Sequence, residues 1–89
     1  MNNAFDKQMK RLTALREIIQ INYPNLFDEL IAKEEMWVWN GSIDIAKYQI
    51  WVESNIPLQI DDYASIAVYS LAYGKSIAEV VQFLSSQQK

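Results

Sequence analysis

Eighty-nine residues suffice for one compact core but not for two. With 51 % apolar and 21 % charged residues, the chain is also too apolar to stay disordered. Cysteine and histidine are both absent, which excludes disulfides, thiolate nucleophiles, Cys/His zinc sites and a histidine base. The net charge of −3 is uneven: residues 1–20 carry four cations against two acids, residues 21–62 two against eight, and the remainder two against one. The acidity sits in the middle of the chain.

From Asn3 to Asn22 the apolar residues Phe5, Met9, Leu12, Leu15, Ile18 and Ile19 recur at steps of three and four, which predicts an amphipathic helix. Tyr23-Pro24-Asn25 ends it, because the residue before proline is pushed out of the helical region while proline suits the first turn of a new helix. The second helix buries Leu26, Phe27, Leu30 and Ile31 and exposes Asp28, Glu29, Lys33 and Glu34.

The stretch from Met36 to Glu53 supports two readings. Asn40-Gly41 between short runs of strand-favouring residues is a hairpin signal, and beyond it Ile43, Ile45, Tyr48, Ile50 and Val52 share a face if Ala46-Lys47 is a bulge. Alternatively Asn40-Gly41 ends a helix in the left-handed conformation and Ser42 caps the next one. The balance tips to the hairpin.

After Asn55-Ile56-Pro57 the helical pattern returns. Asp61 and Asp62 precede a helix in which Tyr63, Ile66, Ala67 and Tyr73 face inward, and Gly74 closes it. Ser76 with Glu79 forms a capping box that opens a last helix burying Ile77, Val80, Val81 and Leu84, followed by a polar tail from Ser85 to Lys89 that frays. The fold expected is one domain over residues 1–89, mainly α with four helices and a central two-stranded β-hairpin at about 36–53, α+β being favoured over an all-α bundle.

No known chemistry maps onto these residues. The two glycines stand 33 residues apart, too far to cradle a phosphate together. The carboxylate pairs Glu34-Glu35 and Asp61-Asp62 are adjacent in sequence, so on a helix they point in different directions. The serines lack a histidine, and no acidic run has calcium-loop spacing. No catalytic residue, metal or cofactor is expected, and the chain reads as non-enzymatic and cytoplasmic, with no membrane-spanning run.

Three tryptophans within fifteen residues, Trp37, Trp39 and Trp51, are the most informative group. In the hairpin reading Trp37 and Trp39 share one face and Trp51 lies on the other, beside Lys47 and Glu53. A surface tryptophan near carboxylates suits a binding hot spot. The expected function is therefore a small interaction module, inhibitor, immunity or adaptor-like. It would engage another protein with a basic surface through Trp37, Trp39, Trp51, Glu34, Glu35, Asp44 and Glu53, or use that surface to form a homodimer. The alternative is a helical nucleic-acid-associated regulator that contacts phosphate through Lys7, Lys10, Arg11 and Arg16, a partner that the net acidity opposes.

Overall fold

The structure, a computed structural model, describes residues 3–87. Among the described residues there are five helices and one short ribbon: α1 (Asn3–Asn22), α2 (Pro24–Trp37), β1 (Val38–Trp39), β2 (Ser42–Ile43), α3 (Ile45–Asn55), α4 (Tyr63–Tyr73) and α5 (Ile77–Gln87). It is mainly α with a small antiparallel hairpin. The fifth helix is α3, where the strand reading expected the second arm of a longer hairpin. Of the tail expected to fray from Ser85 to Lys89, Ser85, Ser86 and Gln87 instead continue α5, and Gln88 and Lys89 lie outside the described residues.

A single residue joins α1 to α2. Tyr23 leaves the helical region at φ −135° and ψ 58°, while its amide still donates to Ile19 C=O at 2.8 Å. Pro24 then occupies the first turn of α2, where a missing N–H costs nothing. The Tyr23 hydroxyl donates to Asp62 at 3.1 Å, pinning this corner to the start of α4. Burial first, then the bond to that carboxylate, pushes the phenol up to about 12.

At the far end of α2 the chain turns back through the hairpin. Val38 pairs with Ile43 and Trp39 with Ser42, so the loop is Asn40-Gly41, with φ of 51° and 71°. Positive φ at both loop residues is the requirement of the tight turn whose twist matches the paired strands. The Asp44 amide still donates across the ribbon to Trp37 C=O at 2.8 Å, one step further in the same register, while its carboxylate accepts from the Lys47 amide at 3.4 Å and turns the chain into α3. Asp44, and not Ser42, is the helix cap.

Helix α3 corrects the strand reading of residues 45–52. Tyr48, Trp51 and Val52 are buried together, a spacing of three and four, while Ile50 is 59 % exposed. Alternation had put Ile50 inside and Trp51 outside. A helix reverses both and buries the larger ring, which removes more apolar surface from water.

Helix α4 is the hub, packing against α1, α3 and α5. Its buried residues Ser65, Ile66, Val68, Ser70 and Ala72 are small or medium and lie on several sides of the helix. Asp62 caps its start by accepting from the Ser65 amide at 3.4 Å, and Gly74 closes its end at φ 67°. Tyr63, expected to face inward, is 62 % exposed, because a residue in the first turn beside the cap projects past the core. The capping box of α5 forms as expected: Ser76 Oγ accepts from the Glu79 amide at 3.1 Å, and Glu79 accepts from the Ser76 amide at 2.9 Å. Ser76, through its backbone amide first and then its side chain, holds the Glu79 carboxyl below its usual range.

Two hydrophobic clusters result. The larger joins α1, α2, α3 and α4 through Leu12, Leu15, Ile19, Leu30, Trp37, Tyr48, Trp51, Val52, Val68 and Ala72, with Ile56 closing it. The smaller is Ile66 on α4 with Val80 and Leu84 on α5, flanked by Leu58, Tyr69 and Val81.

Candidate functional site

The segment singled out by sequence is divided between core and surface. Trp37 is 8 % exposed and meets Tyr48 edge-on, with ring centroids 4.9 Å apart. Trp51 is 6 % exposed and donates from Nε1 to Glu29 at 2.6 Å. Trp39 alone of the three faces solvent, at 60 % exposure. The pleat accounts for this: Val38 and Ile43 turn toward the main core, so Trp39 and Ser42 turn away. Trp37 belongs to the last turn of α2, so it does not share a face with Trp39 as the ribbon reading required.

The acidic residues divide in the same way. Glu34, expected on the solvent face of its helix, is 8 % exposed. Its carboxylate accepts from Arg16 Nε at 3.0 Å and from the Tyr48 hydroxyl at 2.8 Å. A charge removed from water needs such partners, and those partners come from α1 and α3. Burial first, then the bond to Glu34, pushes the Tyr48 hydroxyl far up and keeps it a neutral donor. Asp44 is engaged as the α3 cap. Glu35 is exposed beside Met36, itself 60 % exposed. With Met9, Ile31 and Val38, Glu35 borders a shallow groove of about 280 Å³ between α1 and α2, next to the hairpin. Glu53 lies elsewhere, on α3, at the edge of a different groove.

Of the four cations in the alternative set, two are committed inside the fold. Arg16 is the partner of Glu34, and Arg11 donates from Nε to Leu71 C=O at 2.9 Å, satisfying a carbonyl at the C-terminal end of α4. Lys7 and Lys10 are exposed on α1.

The second groove was missed by sequence reasoning. It measures about 690 Å³ and lies between α4 and α5, with Tyr69, Tyr73, Val80 and Phe83 forming its apolar wall and Glu53, Lys75 and Glu79 around it. The Tyr69 and Tyr73 rings are parallel within 4°, their centroids 6.0 Å apart. Tyr69 donates to Ile56 C=O at 2.7 Å, and burial, then the charge of Glu53, raises its pKa. The available signal was the i, i+4 pair Tyr69 and Tyr73 together with Phe83, which extends the α5 apolar set by one step of three from Val80.

Among the described residues no group of His, Cys, Asp or Glu is placed to hold a metal ion, and no helix is long and apolar enough to cross a membrane. Every buried side-chain nitrogen or oxygen among them has a hydrogen-bond partner. Comparison of the chain with protein-family models, with curated proteins and with solved structures returns no match.

Proposed function

We propose that this chain is a non-enzymatic protein-interaction module whose primary contact is the solvent-facing side of the hairpin, centred on Trp39 and extended by Met36 and Glu35. The observation that carries the reading is Trp39 itself, 60 % exposed on a tight ribbon while Trp37 and Trp51 are buried. A large ring held on two paired strands loses little conformational freedom on binding, which is the property of an interface anchor. Glu35, exposed in the last turns of α2 just before the hairpin and in a segment of net negative charge, favours a basic surface on the partner and a fast, salt-sensitive association. The absence of histidine and cysteine from the sequence removes the commonest general base and the strongest side-chain nucleophile.

The test is an affinity comparison with the partner recovered on immobilised chain and identified by mass. Trp39→Ala should weaken binding by at least about tenfold, roughly 1.4 kcal/mol, with helix content unchanged by circular dichroism. Glu35→Lys should slow association and flatten its salt dependence. Unchanged affinity in Trp39→Ala removes this reading.

A further inference from the structure

The groove beside α5 is a built feature that the hairpin reading leaves unused. Its volume of about 690 Å³ falls within the range of ordinary binding pockets. Its wall is aromatic, and Phe83 is 56 % exposed although it stands next to the small cluster where α5 packs on α4. The Tyr69 hydroxyl already has its acceptor at Ile56, so a visitor would meet its ring rather than its polar tip. Around this wall stand two carboxylates from different elements, Glu53 on α3 and Glu79 on α5, against one cation, Lys75.

We infer that this groove is a second docking site, which takes an amphipathic helix from a partner protein with its apolar row against Tyr69, Tyr73 and Phe83 and a lysine or arginine directed to Glu53 and Glu79. Charge complementarity selects this occupant. The stem of a long basic side chain covers aromatic surface while its head reaches a carboxylate, and a cation is attracted to a ring face. A second copy of the chain fits less well, since each copy carries −3, its Arg11 and Arg16 are tied inward, and its exposed Lys7 and Lys10 stand on α1, whose residues Leu12, Leu15 and Ile19 are already buried in the core. The inference deepens the preceding reading: it depends on the chain serving a protein partner, but not on Trp39.

The experiment is a titration of ¹⁵N-labelled full chain with a short synthetic helix of leucines on one face and lysines on its flanks, followed by amide shifts. A peptide with glutamate in place of lysine runs in parallel. Saturating shifts are expected on the α4 and α5 amides around Tyr69, Tyr73 and Phe83, with affinity falling at least about tenfold in Phe83→Ala and in the double variant Glu53→Gln, Glu79→Gln. Glutamine at position 79 still completes the capping box, so the helix start is kept. Trp39→Ala should leave the titration unchanged, which separates failure of the groove from failure of the hairpin. Equal binding of the acidic peptide, shifts confined to the hairpin, or absence of saturation overturns the inference. So does a concentration-dependent dimer that buries the same amides without peptide, which would make the occupant a second copy.

Discussion

The two hydrophobic clusters are built on opposite terms, although α4 belongs to both. The larger joins four helices around fully buried Leu12, Leu15, Ile19, Leu30, Tyr48, Val52, Val68 and Ala72, and encloses the Glu34 carboxylate with its Tyr48 donor while Arg16 reaches it from the edge. The smaller holds α5 to α4 through three buried side chains and leaves Phe83 in solvent. Where elements converge from several directions, even a charge can be taken inside. Where one helix lies on one neighbour, an apolar face is left partly open, and a groove forms there.

The sharpest test of this contrast is Glu34→Ala, which strands the Arg16 guanidinium and the Tyr48 hydroxyl. A loss of about 3 kcal/mol is expected, near the low end for breaking a buried pair because Arg16 keeps some solvent access. It would be measured by urea denaturation, and a loss under about 1 kcal/mol would show that the network does not brace the core. Next in size is Leu84→Ala, expected to cost about 2 kcal/mol, at the low end for a core leucine because the surroundings are thin. Hydrogen exchange sharpens that result: α5 amides should exchange through local opening well below the global free energy, and α1 amides only near it. Equal protection in the two helices would erase the distinction.

The smallest effect is alkaline. Tyr23 titrates near 10 in the unfolded chain and about 12 in the folded one, so the native state holds its proton longer. Its stabilisation is complete below pH 10 and is lost as pH rises from there through 12. Tyr48 is shifted in the same direction by burial, then by its bond to Glu34. Thermal melts should therefore decline above pH 10, and Tyr23→Phe should make the decline shallower. An identical slope in the variant would mean that neither burial nor Asp62 holds the proton on this hydroxyl.

Much of the fold is legible where a signal is local. The α1 periodicity, Pro24, the Asn40-Gly41 turn, Gly74 and the Ser76-Glu79 box each act within a few residues, and each takes the role its chemistry indicates. Residues 45–52 are not local in this sense. Alternation and helical spacing both fit part of the pattern, and the decision rests on what Tyr48 and Trp51 meet on α2, namely Glu34 and Glu29. Glu34 is illegible for the same reason, since a glutamate among acidic neighbours reads as solvated until Arg16 and Tyr48, 18 and 14 residues away in sequence, converge on it. In the candidate site, the notion of one exposed tryptophan was recoverable, but which of the three was not, because that depends on where the ribbon stops.

The division of the tryptophans also gives the molecule an optical readout. Trp37 and Trp51 lie in the core and Trp39 in solvent, so a collisional quencher such as iodide can reach one emitter and leave two shielded. A ligand seated on the hairpin would abolish the quenchable fraction, whereas one seated beside α5 would leave it intact. The chain would thereby report, without any label, which of the two proposed faces a ligand occupies.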